Sequence, residues 1–261
     1  METNIRLFES SLLNDGSYGI GFDYIKNTKN MKIAFTGSSG SGKTTLVKFV
    51  EEEFGLKHIS GSAGDILTEE DKSHLRSWFN YSGVEGHLGV IKKSATDVDF
   101  GISNQNLLQR RRMELIGKND NFVTDRSPLD NFTYFISQVG FHPEVNDYIV
   151  NQFLGDCLMA WYSLTHVIFV RAVQPTAIEN NGSRIANKYW QMASDAQFNY
   201  WLREIFLNYR FSGPNGEYPQ PKLLVIDFWD LEKRKNKIRE FLSEPRYEVH
   251  KPPTVYPTPF G

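Results

Sequence analysis

Cysteine is almost absent from this sequence. The 261 residues include a single one, Cys157, which excludes an internal disulfide and a cysteine-ligated metal cluster. It lies in the apolar run FLGDCLMAWY, where a buried and unreactive thiol is expected. The six histidines show no ligand spacing, so the histidines give no reason to expect a metal site either.

The sequence also lacks an excess of charge of either sign and lacks long hydrophobic runs. Its 29 basic and 31 acidic residues give a net charge of −2, which argues against broad nonspecific binding to nucleic acid but leaves a local basic patch open. No segment reaches the roughly 18 apolar residues of a membrane span. The N-terminal METNIRLFESS lacks the basic start and apolar core of a secretory signal. We therefore expect no membrane association and a reducing, cytoplasmic location.

A glycine- and serine-rich segment stands out, IAFTGSSGSGKTTLVKF at residues 33–49. Within it, residues 37–44 spell G-x-x-x-x-G-K-T, the signature of a phosphate-binding loop. Glycines let the backbone turn tightly, so that successive N–H groups face one concavity that holds anions. The helix that follows adds partial positive charge at its N-terminus. A chance match in an ordinary turn is the alternative, and the flanking strand and helix patterns disfavour it.

We assign nucleotide binding to the loop residues and to the first residues of the helix. Lys43 is expected to reach the β- and γ-phosphates of ATP and to be catalytic, and the Thr44 hydroxyl is expected to ligate Mg²⁺. The predicted cofactors are therefore ATP and Mg²⁺. The predicted nucleotide-binding residues are Gly37, Ser38, Ser39, Gly40, Ser41, Gly42, Lys43, Thr44 and Thr45.

Strand and helix patterns alternate along the chain, which predicts an α/β fold with three layers, helices covering both faces of a parallel sheet, as in P-loop NTPases. Predicted strands cover 32–36, 57–60, 121–125, 165–171 and 222–227. Predicted helices cover 43–54, 103–117, 144–162, 187–209 and 231–242, and two more start at about 68 and 128. The core domain is predicted at 31–242, after an accessory segment at 1–30 and before a proline-rich tail at 243–261.

A second motif, NFVTDRSPLDNF at 121–132, ends a predicted strand in a carboxylate and an arginine. Ser127, Pro128 and Asp130 have the spacing of a helix capping box and need no catalytic role. Asp125 and Arg126 lie outside the cap. A carboxylate at a strand end beside a phosphate loop can hold Mg²⁺ through water or accept a proton from an attacking hydroxyl, and Arg126 can clamp an acceptor. The alternative for both is a structural role.

The strand, the loop GSSGSGKTT and the downstream TDRSP together resemble the thymidylate kinase and deoxynucleoside kinase group of phosphate-loop kinases. The segment DRSPLDN, residues 125–131, also resembles the corresponding segment of nicotinamide-riboside-kinase-like ATPases. The resemblance covers residues 31–242 and implies that Lys43 and Thr44 carry ATP·Mg while Asp125 and Arg126 face the acceptor. It further implies a helical lid after the fourth strand. Arg184 in this lid is either a catalytic arginine finger or a solvated residue.

The resemblance implies an ATP-dependent phosphotransferase with a small nucleoside or nucleotide acceptor, and pyrimidine deoxynucleotides are the group's default. Some similar bacteriophage kinases phosphorylate a 5-hydroxymethyl pyrimidine within DNA, which leaves DNA open as a polymer substrate and the host cytoplasm as a location. A homodimer is also left open. A nucleotide-dependent switch or regulatory ATPase is the alternative of another class. A GTPase is disfavoured because NKYW at 187–190 lacks the aspartate of the guanine-reading motif.

Three further segments have open interpretations. In QRRRME, residues 109–114, we expect an exposed i,i+4 pair of Arg110 with Glu114, although Gln105, Gln109 or an arginine of this cluster could read a base. The segment EKRKNK at 232–237 is expected to form a charged outer helix face. The loop SGSAGD at 60–65 either approaches the substrate through its glycines or is an ordinary loop.

Overall fold

The computed structural model describes residues 31–79, 86–173, 187–210, 212–213 and 216–243. Its strands are β1 (Lys32–Thr36), β2 (Lys57–Ile59), β3 (Phe122–Thr124), β4 (His166–Val170), β5 (Ser212–Gly213), β6 (Gly216–Glu217) and β7 (Lys222–Ile226). Its helices are α1 (Lys43–Phe54), α2 (Ala63–Ile66), α3 (Glu69–Phe79), α4 (Gly86–Thr96), α5 (Val98–Lys118), α6 (Pro128–Val139), α7 (Asp147–Tyr162), α8 (Lys188–Trp201) and α9 (Leu231–Ser243).

Five strands form one parallel sheet in the order β2-β3-β1-β4-β7. The predicted α/β fold with a parallel sheet is therefore confirmed. Strand β1 lies at the centre, with β3 on one side and β4 on the other. Ligands of open parallel sheets bind beyond the carboxyl ends of the strands, so the residues that follow β1, β2, β3 and β4 mark the place of a site. Strands β5 and β6 form a separate small antiparallel pair.

Apolar residues cover both faces of the sheet because neighbouring side chains of β1 point in opposite directions. Ile33 and Phe35 pack with α1 and α9, whereas Ala34 packs with α6, α7 and α8. The first of these layers is built on Leu46, Val47, Val50, Ile238 and Phe241, and the second on Phe132, Phe135, Trp161, Phe198 and Phe206. The sheet therefore lies between two helical layers, and packing on both of its faces positions the carboxyl ends of the strands.

Several predicted boundaries differ from the structure. Helix α5 begins at Val98, five residues earlier than expected, because the Asp97 side chain caps it by accepting from the Phe100 N–H. The long aromatic helix predicted at 187–209 is α-helical only to Trp201 and continues as a π-helical turn over Leu202–Phe206. Helices α2 and α4 were not predicted.

The aromatic side chains of this helical segment divide between core and surface. Phe198 and Phe206 are fully buried. Tyr189 and Tyr200 are instead 69% and 55% exposed. The helix is amphipathic, and aromatic density alone did not distinguish its two faces.

The segments predicted as an accessory N-terminus at 1–30 and, from residue 244, a proline-rich tail lie outside the described residues, so the predicted domain division stays a prediction. Within the described parts of the chain, no helix combines the length and the hydrophobicity that crossing a membrane requires.

Candidate active site

The phosphate-binding loop connects the end of β1 to the start of α1, as the motif predicts. Gly37, Gly40 and Gly42 have φ values of 130°, 78° and 95°, which lie in the region that glycine adopts far more readily than other residues. A Cβ on Gly37 would also lie 2.3 Å from the carbonyl oxygen of Val170 at the end of β4. The loop therefore follows its path only because these positions carry no side chain.

Lys43 lies along the inside of the loop. It is 7% exposed, and its Nζ donates to the carbonyl oxygens of Gly37 at 2.6 Å and Ser38 at 2.7 Å. A bound phosphate would take up these donors in exchange. Thr44 and Thr45 are exposed in the first turn of α1, where the hydroxyl of Thr44 is available to a metal ion.

Two helices from the C-terminal half of the chain hold the loop from outside. Gln191 of α8 donates from Nε2 to the carbonyl oxygen of Ser39 at 3.0 Å. Arg234 of α9 donates from Nη1 to the carbonyl oxygen of Ser41 at 2.9 Å and also binds the carbonyl oxygen of Phe228. Each helix thus fixes one loop peptide whose N–H direction matters for anion binding.

Arg234 corrects the prediction that residues 232–237 form a solvated outer face. Its side chain is 3% exposed, and burial lowers the pKa of its guanidinium. A signal for this was present in the sequence, because Arg234 is spaced by four and seven from Ile238 and Phe241, which are buried on the same helix face. The neighbouring lysines Lys235 and Lys237 do pair with glutamates at the surface, as expected.

The second motif adjoins the loop because β1 and β3 are hydrogen-bonded neighbours. The predicted capping box is confirmed: the Ser127 side chain accepts from the Leu129 N–H, and Asp130 accepts from the Ser127 N–H at 2.8 Å. The cap ends β3 and begins α6 directly after Asp125 and Arg126. These two residues therefore stand at the strand tip beside the one that carries the phosphate loop.

Asp130 does more than cap the helix. Its carboxylate is 1% exposed and accepts hydrogen bonds from Thr36 Oγ1 at 2.7 Å and Arg126 Nη1 at 3.0 Å. Thr36 is the last residue of β1, immediately before the loop. One buried carboxylate thus connects the phosphate loop with the arginine of the second motif. The sequence analysis missed this link because a capping box explains Asp130 without it.

Arg126 and Asp125 point to different partners. Arg126 is 26% exposed and donates to the Tyr134 hydroxyl at 3.0 Å as well as to Asp130. Asp125 is half-buried, and its Oδ1 accepts from the backbone N–H of Gly61 at 2.7 Å. Among the described residues, none donates a hydrogen bond to the other oxygen, Oδ2, so this oxygen can meet an acceptor or a metal-bound water.

The arginines of QRRRME are engaged within the protein. Arg111 binds Asp71 of α3 with two hydrogen bonds of 2.7 and 3.0 Å and also binds Glu114 at 2.9 Å. Arg110, 51% exposed, lies 3.9 Å from Asp71. The expected pair of Arg110 with Glu114 is therefore wrong, since Glu114 binds Arg111 instead. Arg112 is buried.

The glutamines of the same helix form an amide network between α5, α6 and α7. Gln109 accepts from Asn131 Nδ2 at 2.6 Å and donates to the carbonyl oxygen of Asp156 at 3.0 Å. Gln105 donates to Gln138 at 2.9 Å. Both glutamines are 2% exposed, so their hydrogen bonds join helices inside the helical layer. Their proposed reading of a base stays a prediction.

Comparison with known proteins identifies the family. A family model described as an AAA domain matches residues 32–211, more than half of the chain. The chain belongs to this AAA-domain family. No curated protein sequence matches it significantly.

Among solved structures, the AAA-domain protein is similar to deoxyadenosine kinase from M. mycoides. The structure with bound dCTP matches with a TM-score of 0.50 and 14% identity, over 81% of this chain and 98% of the kinase. The structure with bound dATP matches with a TM-score of 0.47 and 14% identity, over 82% and 100%. At this identity the likeness concerns the fold alone, and the match with a TM-score of 0.50 agrees with the predicted α/β fold of P-loop NTPases.

One predicted site residue of the AAA-domain protein, Arg184, lies outside the described residues, together with residues 174–186 of the predicted lid segment. Its role as an arginine finger stays a prediction. Lys188, which begins α8, is exposed.

Proposed function

We propose that this protein is an ATP-dependent phosphotransferase that moves the γ-phosphoryl group to a nucleoside or nucleotide acceptor, with a pyrimidine deoxynucleotide preferred. The observation that carries the proposal is the pairing of β1 with β3, which puts the phosphate loop beside Asp125 and Arg126. The kinase fold of a deoxyadenosine kinase solved with dCTP supports the choice of a nucleoside-type acceptor.

In the proposed reaction an acceptor oxygen bonds to the γ-phosphorus as the bond to the β–γ bridging oxygen breaks, and ADP leaves. Lys43 neutralises charge on the phosphates, and Arg126 orients the acceptor. A hydroxyl acceptor would give its proton to Asp125. A phosphate acceptor has no such proton, and Asp125 would then hold a water of the metal ion.

The residues present fit magnesium that arrives with ATP. Magnesium is usually held by one or two protein oxygens together with substrate phosphates. Thr44 is the proposed direct protein ligand, and Asp125 would hold the ion through a water. Within the described part of the chain no group of three or more His, Cys, Asp or Glu side chains forms a metal cage. When bound, the ion would neutralise charge on the β- and γ-phosphates.

The DNA alternative would need a cationic surface that follows a phosphate backbone. In QRRRME, Arg111 is bound to Asp71 and Arg112 is buried, which leaves Arg110 as the exposed arginine of this cluster. The cluster therefore gives the alternative little support. A cytoplasmic location, or the host cytoplasm for a bacteriophage protein, belongs to the proposal because ATP and a reduced Cys157 are both found there.

An ATP-consumption screen tests the function, with a panel of nucleosides, nucleoside monophosphates, nicotinamide riboside and DNA containing 5-hydroxymethyl pyrimidines. We expect turnover to need an added nucleoside-type compound, with dTMP the first candidate. Turnover without any acceptor would favour a regulatory ATPase instead. Activity on modified DNA that falls steeply with salt would favour the polymer substrate.

Two variants test the site. We expect Lys43→Ala to abolish turnover, because the lysine is the loop's side-chain contact to the transferred phosphate. We expect Asp125→Ala to retain ATP binding, measured with a fluorescent ATP analogue, while transfer is lost. Equal turnover by the wild type and Asp125→Ala would contradict the assignment of Asp125.

A further inference from the structure

Gly61, in the loop that follows β2, connects the second motif with helix α5. The N–H of Gly61 donates to Asp125 Oδ1 at 2.7 Å, and the carbonyl oxygen of the same residue accepts from Arg112 Nη2 at 2.8 Å. Asp65 stabilises the loop by accepting from the hydroxyls of Ser60 at 2.6 Å and Ser62 at 2.7 Å. Gly61 is therefore fixed on both sides and within its loop.

The position also needs glycine for space. A Cβ built on Gly61 would lie 2.5 Å from Cβ and 2.7 Å from Cγ of Arg126. Contacts this short do not occur between real side-chain carbons, so either the loop or Arg126 would have to move. In contrast, a Cβ on Gly64, three residues later in α2, would meet nothing within 4 Å. The close approach is thus specific to the glycine that holds Asp125.

Arg112 reaches Gly61 from α5 and is 6% exposed. Its Nε and Nη1 are buried and have no hydrogen-bond partner among the described residues. Burial lowers the pKa of this guanidinium to about 10, so it stays charged at neutral pH, with Asp130 favouring and Arg126 opposing its charge. A buried cation with a single hydrogen bond is costly for the fold. Because Arg112 lies beside the site, a functional role would explain why the protein keeps a residue that destabilises the fold.

We propose that Arg112 and Gly61 are positioning residues for Asp125. Arg112 binds the carbonyl oxygen of Gly61 and so holds this residue in place. The N–H of Gly61, on the preceding peptide group, occupies Oδ1 of Asp125 and leaves Oδ2 turned to the acceptor. The inference rests on the proposed function, since Asp125 must take part in phosphoryl transfer. It adds to that function two residues which touch neither the nucleotide nor the acceptor.

The first test compares two arginines of one helix. Arg112→Met removes the hydrogen bond to Gly61, and Arg110→Met removes a half-exposed arginine that has no contact with Gly61. Transfer from ATP to dTMP and hydrolysis of ATP by water are measured in the same samples. We expect kcat of Arg112→Met to fall about 100-fold, the scale of a 1 Å misplacement of a catalytic group. KM for ATP stays unchanged, and Arg112→Lys restores part of the loss.

The second test acts on the glycine. Gly61→Ala is compared with Gly64→Ala, and Gly61→Ala and Arg112→Met are each also made together with Asp125→Asn. We expect Gly61→Ala to lower kcat about 100-fold, with ATP affinity retained, and Gly64→Ala to have no effect. If Arg112 acts through Asp125, Arg112→Met costs much less in the Asp125→Asn background, as in any coupled pair.

Hydrogen exchange separates the inference from the proposed function, because it needs no acceptor. We expect the Gly61 amide to be protected in the wild type and to exchange faster in Asp125→Ala, which removes its acceptor, and in Arg112→Met, but not in Arg110→Met. Unchanged protection in these variants would overturn the inference. So would a kcat of Arg112→Met equal to that of Arg110→Met. If instead protection changes but Asp125→Asn transfers phosphate as fast as the wild type, the proposed role of Asp125 fails.

Discussion

Asp130→Asn tests whether one buried carboxylate holds the two halves of the site together. The wild-type carboxylate accepts hydrogen bonds from the Thr36 hydroxyl, the Ser127 N–H and hydroxyl, and Arg126. Asparagine has nearly the same shape but only one acceptor oxygen. Its NH₂ group would therefore face a group that also donates, and Arg126 would lose its charged partner.

The cost can be bounded from these contacts. Breaking a buried ion pair by removing one partner costs about 3–5 kcal/mol, and loss of the capping interaction costs about 1 kcal/mol. Arg126 is 26% exposed, so water replaces part of what it loses. We therefore expect the free energy of unfolding to fall by about 3 kcal/mol, which for a protein of this size corresponds to a melting temperature lower by about 6–12 °C.

Urea unfolding followed by circular dichroism measures this loss, with Asp147→Asn as the matched control. Asp147 is an exposed acid in the first turn of α7, where the same substitution should cost less than about 1 kcal/mol. A domain with 5–15 kcal/mol of stability would still fold after the loss of Asp130, so transfer can be assayed. Equal stability of Asp130→Asn and Asp147→Asn would refute the reasoning.

Two further predictions concern the supports of the site. We expect Arg234→Met to weaken ATP binding about tenfold, because it frees the Ser41 peptide of the loop and one charge-assisted hydrogen bond is worth about 1.5 kcal/mol or more. The exposed Lys237→Met is the control, and equal ATP affinities would contradict the prediction. Burial of Asp71 opposes its ionisation, but hydrogen bonds, from Arg111 above all, outweigh this and lower its pKa from 3.8 to about 2. Its stabilisation is therefore complete above about pH 4 and lost as the pH falls towards 2. The stability difference between the wild type and Asp71→Asn should shrink over that range in urea titrations, and a constant difference would contradict the assignment.

The parts of the fold that depend on local signals could be predicted from the sequence. The phosphate loop follows from glycines at positions of positive φ, and the start of α6 follows from the capping box of Ser127 and Asp130. Both are decided within a few residues of chain. The central strands β1 and β4 were predicted for a related reason, since buried parallel strands carry short continuous apolar runs.

The contacts that support the site join residues far apart in the sequence, and no local pattern encodes them. Gln191 and Arg234 reach the loop from helices that follow it by more than a hundred residues. Arg112 looked like one arginine of a basic cluster, and only packing distinguishes it from its exposed neighbour Arg110. Periodicity marks the buried face of a helix, but not the group that a buried polar residue will bind.

Asp130 shows why stability and catalysis must be measured together in this protein. The same carboxylate begins α6, ties the last residue of β1 and orients Arg126, so its loss would lower both the folded fraction and the rate. Gly61 differs, because the atoms that a Cβ there would meet belong to the half-buried Arg126 and not to the hydrophobic core. If the site is organised as we propose, substitutions at Gly61 lower kcat with a smaller loss of stability than those at Asp130, which lower both strongly. This difference separates the residues that build the strand tips from those that align them.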